Sequence, residues 1–81
     1  MKISVRLFAA VRDSLGQSEV SVDLPDGATV AILRTTLQQQ YPDLETLFAR
    51  AIFAIKEEYA RDDTTLNNDE TVACIPPVSG G

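Results

Sequence analysis

The string Ile75-Pro76-Pro77-Val78-Ser79-Gly80-Gly81 joins stiff residues to permissive ones, and the order suggests a task. Pro76 and Pro77 have fixed φ and favour an extended polyproline conformation, which holds the residues after them away from the domain. Gly80 and Gly81 lack a Cβ, so their backbone can thread a channel too narrow for any other residue, and no side chain shields the Gly81 carbonyl from attack. Five residues from Pro77 onward reach roughly 16 Å at ~3.3 Å each. The expectation is a tail of Pro76, Pro77, Val78, Ser79 and Gly80 that delivers the Gly81 carboxylate into another protein's active site. Ordering flexible glycines costs roughly 1–2 kcal/mol per residue, so the folded domain would supply affinity through a separate surface. On composition alone, a frayed end rich in small residues explains the same string.

Other chemistry is sparse. The chain has no histidine, which removes the usual general base and the usual metal ligand, and its single cysteine, Cys74, cannot form an internal disulfide. Cys74 stands two residues before Pro76, where a sulfur-relay nucleophile is conceivable. Its alternation with Val72 favours a small buried side chain, and Cys74 is left out of the site. The acidic runs Glu57-Glu58 and Asp62-Asp63 read as a solvated face.

The 81 residues allow one domain without a large internal cavity, and 44% hydrophobic against 23% charged residues is the balance of a folding chain, not a disordered one. A formal charge of −5 repels nucleic acid and anionic membranes and favours a basic protein partner. Arg6, Arg12 and Asp13 interrupt the apolar stretch that a signal peptide needs, so the expected location is cytoplasmic.

The elements that would carry the tail follow from periodicity. Lys2 to Phe8 alternates with Ile3, Val5 and Leu7 inward, which predicts a first strand, and Ser18 to Leu24 repeats the pattern with Val20, Val22 and Leu24. A short helical connector over Ala9 to Leu15 stops at Gly16, a left-handed C-cap. After the turn Pro25-Asp26-Gly27, Thr29 is positioned to cap a helix whose stripe is Val30, Leu33, Leu37 and Tyr41, with Arg34, Gln38 and Gln39 facing water; Pro42 ends it. Leu44, Leu47 and Phe48 suggest a satellite turn over one edge of the core. Ala51 to Lys56 is apolar on both faces, as a central strand is, and Glu57 to Ala60 continues it with a more polar pattern. Thr71 to Ile75 is the last strand, closed by Pro76.

This order fits an α+β fold, the β-grasp (ubiquitin-like) arrangement: a mixed sheet, one main helix and an extended tail. The domain would span residues 1–76 and the flexible Gly-Gly tail 77–81. First and last strands would pair in parallel at the centre of the sheet, the intervening chain supplying the long connection that parallel pairing requires.

The segments LFAAVRDSLG, IFAIKEEYA and VACIPPVSGG, in this order, resemble the small subunit of molybdopterin synthase, the MoaD-type sulfur carrier of the ubiquitin-like ThiS/MoaD group. The chain departs from that pattern at Asp69, where a Gly-Asp-Glu turn usually has its glycine, and at Lys56, where many members have asparagine. The resemblance implies that a MoeB-type adenylating enzyme uses ATP and magnesium to activate the Gly81 carboxylate, and that sulfur transfer then leaves a thiocarboxylate. No cofactor would be bound by the chain itself. In a heterotetramer with the MoaE-type large subunit, the tail would give its sulfur to a cyclic pyranopterin phosphate held by the partner, two carriers serving each dithiolene, and the acid–base groups would be the partner's. The carrier would be a sulfur-donating, non-catalytic subunit.

Phe8 points opposite to Leu7 and Ile75 opposite to Cys74. With Tyr59 they are candidates for the partner-binding surface, which the resemblance also places there, and Arg12 is a candidate polar contact at its rim. The alternative is a second, smaller core under residues 42–50. Rival functions are the thiamine-pathway sulfur carrier, a ubiquitin-related modifier that thiolates tRNA, a ubiquitin-like tag joined to lysines, and a plain binding module; Pro-Pro-Val-Ser before Gly-Gly favours the molybdopterin branch.

Overall fold

The alternating segments form strands and the three- to four-residue stripe forms a helix, as their periods require. The computed structural model describes residues 1–77, so the expectations for Val78, Ser79, Gly80 and Gly81 lie outside the described residues. Strands β1 (Lys2–Leu7), β2 (Glu19–Asp23), β3 (Ile52–Ile55), β4 (Glu58–Ala60) and β5 (Thr71–Ile75) make one sheet in the order β2-β1-β5-β3-β4. β1 and β5 pair in parallel, Val5 opposite Val72 and Leu7 opposite Cys74, and every other pairing is antiparallel. Helix α1 (Ala9–Leu15) bridges β1 to β2 and ends at Gly16, whose φ of 67° is the expected left-handed cap. Helix α2 (Val30–Gln40) precedes a 3-10 turn (Pro42–Leu44) and helix α3 (Glu45–Arg50).

One face of the sheet is dry. Ile3, Val5, Leu7, Val20, Val22, Phe53, Val72 and Cys74 join Val30, Leu33 and Leu37 of α2 in a single buried cluster. Phe48 is fully buried in that cluster, so the segment after Pro42 is part of the main core and not a satellite. Leu66 is also buried there, a core member that its polar surroundings in TTLNND concealed from the sequence.

The start of α2 departs from expectation. The Thr29 side chain makes no capping bond. The first amides of the helix instead donate to the β4–β5 loop, Val30 N–H to the Thr64 carbonyl and Ala31 N–H to the Asp62 carbonyl, both at 3.0 Å. These are donors without intrahelical partners, and a carbonyl satisfies them as well as a hydroxyl does. The third strand also differs: the chain reverses at Lys56-Glu57 and returns as β4, with Ile55 opposite Glu58. Both turn residues have positive φ, 52° and 68°, as a two-residue hairpin loop that follows the strand twist requires.

Arg34 does not face water. Its side chain is only 19% exposed, and its guanidinium donates to the carbonyls of Phe48 (2.6 Å) and Ala51 (2.8 Å) and to the Asp62 carboxylate (2.9 Å), while lying 4.9 Å from the centre of the Phe53 ring. A planar fork of donors suits that task because it bonds several acceptors at once. It ties α2 to the end of α3 and to the β4–β5 loop. Hydrogen bonds to charged groups contribute roughly 1.5–3 kcal/mol, so Arg34→Met should lower stability by about 2 kcal/mol, with Arg34→Lys recovering only part. Urea unfolding, read as a lower midpoint at unchanged slope, checks this.

Candidate functional site

The other face of the sheet carries no helix, and its residues can be placed by register. Arg6, Ala73, Ala54 and Tyr59 stand opposite one another across β1, β5, β3 and β4, forming one crosswise row. Toward the C-terminal end of β5 comes a second row. Ile75 pairs with Ile52 and is flanked on its other side by Phe8, which continues β1 beyond the Leu7–Cys74 pair. Toward the opposite end lie Thr71, the Lys56-Glu57 turn and the loop 67–70. Polarity therefore changes along the strands, from charged groups at one end to apolar ones where β5 passes into Pro76.

Two alanines, Ala54 and Ala73, sit side by side at the centre of this face. Small side chains there leave a depression of about 910 Å³ whose walls include Phe8, Tyr59, Ile75, Arg6 and Lys56. The exposures of Phe8 (38%), Ile52 (45%) and Tyr59 (79%) are high for side chains of that size. A cluster of apolar side chains on an otherwise charged surface is the mark of a place where another surface sits.

The structure thus brings together Phe8, Tyr59 and Ile75 around one depression. It does not place them under residues 42–50: α3 packs on α2, on the opposite side of the sheet. Arg12 is not among the residues lining the depression. It lies on α1, half exposed, with its Nε 3.8 Å from the Asp13 carboxylate. Pro76 is buried and Pro77 exposed, so β5 hands over to the surface within two residues.

Ile52 is the member of this surface that the sequence reading missed. Apolar residues on both faces of AIFAIK suggested burial on both sides, yet only Phe53 and its neighbours on the inner face are covered by helices. The apolar signal at Ile52 was present, and the structure leaves that side chain exposed on the open face. The two departures in the turns keep their geometry: Asp69 has φ 64° and Lys56 φ 52°, left-handed conformations that glycine and asparagine adopt more readily. The Asp69 N–H donates to the Lys2 carbonyl at 2.9 Å, which fixes the loop against the start of β1.

A mixed five-stranded sheet with its first and last strands paired in parallel and one face covered by helices defines the β-grasp fold. The chain belongs to the ThiS family, which matches residues 5–81. It is 36% identical to the molybdopterin synthase sulfur carrier subunit of Chlamydomonas reinhardtii, with all of both chains covered, and 35% identical to that of Dictyostelium discoideum, over 99% of this chain and 96% of the other. Among solved structures, SAMP1 from Haloferax volcanii superposes with a TM-score of 0.84 at 27% identity over the full length of both chains. Among the described residues, no helix is long and apolar enough to cross a membrane.

Cys74 faces the core. It is fully buried among the cluster residues, and burial pushes its thiol up from 9.0 to about 11, opposed in small part by the Arg34 charge. A thiol kept protonated and dry is a poor nucleophile, so the geometry fits packing and not sulfur relay. Between pH 9 and 11 the unfolded chain loses the thiol proton while the folded one retains it. Stability should therefore fall with rising pH in that window, by up to about 1.4 kcal/mol per pH unit from this group, and be unaffected by it below the unfolded value. Comparing unfolding of the unchanged chain and Cys74→Val across pH 8 to about 11 isolates the effect, since the variant lacks this group and other titrations cancel.

Proposed function

We propose that the chain is the sulfur carrier subunit of a cytoplasmic molybdopterin synthase, with the Gly81 carboxylate as its reactive group. The observation that carries this reading is the apolar row Phe8–Ile75–Ile52, which ends where β5 passes into Pro76. Affinity and delivery are thereby neighbours: a protein seated on the open face receives the tail at its edge. The names of the relatives and the family match through residue 81 support the same reading.

The chemistry runs in two steps. A carboxylate is a poor electrophile until its oxygen becomes part of a good leaving group, so an adenylating enzyme joins the Gly81 carboxylate to the α-phosphorus of ATP, with magnesium, and pyrophosphate departs. Sulfide then attacks the acyl carbon, AMP leaves with the electron pair of the broken acyl–oxygen bond, and a thiocarboxylate remains. That group is anionic at neutral pH and strongly nucleophilic at sulfur. On docking with the large subunit its sulfur attacks an electrophilic carbon of a pyranopterin phosphate and displaces an oxygen leaving group, and hydrolysis of the resulting thioester leaves the sulfur on the pterin and restores the carboxylate. The partner holds the substrate and the acid–base groups, and the residues of this chain bind and position: Phe8, Ile75, Ile52 and Tyr59 on the face, and Pro76 to Gly80 along the tail.

The likeness to SAMP1, a small archaeal modifier protein, favours a second reading, a modifier joined through Gly81 to lysines. Intact mass of the chain isolated from its cells separates the two. Replacement of one oxygen by sulfur is the expected result, and deletion of Gly80-Gly81 should abolish it with the fold retained. Isopeptide-linked conjugates without a thiocarboxylate would instead establish the modifier. Phe8→Ala should weaken binding to a molybdopterin synthase large subunit about tenfold or more without unfolding the chain, as truncation of an interface anchor does.

A further inference from the structure

The sheet has two edges, and they differ. β4 is three residues long, while β2 offers five, Glu19 to Asp23. The bonds from the Leu7 N–H to the Ser18 carbonyl and from the Leu24 N–H to the Met1 carbonyl, both 2.8 Å, fix the phase of the β1–β2 ladder. Bonded pairs alternate with unbonded ones in an antiparallel ladder, so Val20 and Val22 bond to β1 while the N–H and C=O groups of Glu19, Ser21 and Asp23 point outward. Among the described residues no strand pairs with that side of β2. Three donors and three acceptors stand there in a row, at the spacing that an added strand takes up.

The side chains on this edge select what can use it. Glu19, Ser21 and Asp23 are exposed on the open face, in register with Arg6, Ser4 and Lys2 of β1. Neither carboxylate makes an ion pair among the described residues. Across the face, a basic column on β1 is followed by an acidic column on β2, and the column that complements the second is basic. A second copy of the chain is the wrong occupant. A two-fold axis through Ser21, the register that uses the whole strand, sets Glu19 against Asp23 of the other copy twice, and like charges directly opposite are destabilising. On the inner face, Val20 and Val22 are buried and α2 packs on β2. Arg34 turns toward β3, 4.9 Å from the centre of the Phe53 ring, so Ile32, two residues earlier and about 200° around the helix, lies on the β2 flank. Ile32 is 41% exposed, an apolar side chain beside the open edge.

We propose that the β2 edge is a strand-docking site for an extended basic segment of another protein, added antiparallel, with Lys or Arg facing Glu19 and Asp23 and apolar residues at the alternate positions turned toward Ile32. The main chain of that segment bonds Glu19, Ser21 and Asp23 and supplies the affinity common to any strand. Its two cations supply the choice of partner, and the same carboxylates that attract them keep a second copy off. Arg6 both pairs with Glu19 and lines the depression, so the added strand widens the open face by one column. The site uses neither the tail nor the depression and does not rest on the sulfur-carrier reading.

The test uses the full chain, the peptide Lys-Val-Thr-Val-Lys capped at both ends, and Glu-Val-Thr-Val-Glu as its control. At millimolar concentration the basic peptide should slow amide exchange at Glu19, Ser21 and Asp23 and leave Val20 and Val22, which already bond β1, unchanged. The acidic peptide should do neither. Glu19→Gln combined with Asp23→Asn, at two exposed positions, should keep the fold and weaken the basic peptide about fivefold, the effect of two cross-strand charge pairs. The proposal is overturned if the two peptides bind equally, if the three edge amides gain no protection, or if peptide-induced resonance shifts are confined to the depression at Ala54 and Ala73. Protection of the same three amides on raising the concentration of the chain alone would also overturn it, in favour of a second copy.

Discussion

The parallel pairing of β1 with β5 is the constraint from which the rest of the molecule follows. Two parallel strands cannot be joined by a tight turn, so the chain between them must leave the sheet and return. In this protein the connection contains β2, all three helices, β3 and β4. Its helical part covers one face and its strands extend both flanks, which places β5 in the interior with a hydrogen-bonded neighbour on either side. β5 is therefore among the best anchored strands, with a neighbour on each side.

The same pairing decides where apolar surface remains. The helices of one crossover cover one side of five strands, and a chain of this size has nothing with which to cover the other. The small side chains of Ala54 and Ala73 then matter, because larger ones would flatten the open face and remove its depression. A net charge of −5 in the whole chain sits alongside an apolar row at the end of β5, so charge and exposed apolar surface occupy different parts of the molecule.

Much of this was legible in the residues. Alternation in KISVRLF and SEVSVDL, the stripe Val30–Leu33–Leu37 and the left-handed cap at Gly16 each report a local preference that tertiary structure leaves in place. What escaped notice depends on partners distant in sequence. Arg34 looked like a solvated residue because the carbonyls that it bonds lie at the end of α3, and Thr29 looked like a cap because the carbonyls that replace it come from a loop some thirty residues away. The hairpin at Lys56-Glu57 was hidden because neither residue is a usual choice for left-handed backbone. On the candidate site, side-chain direction gave Phe8 and Ile75, and lack of cover, which no period reports, gave Ile52.

Pro76 has a consequence beyond its stiffness. β5 lies between two strands, and a residue with an amide hydrogen at position 76 could add a rung to the ladder on the side that its N–H faces. Proline has no such hydrogen, and a second proline follows. Zippering of the sheet halts at Ile75. The end of β5 is thus set by a missing proton donor.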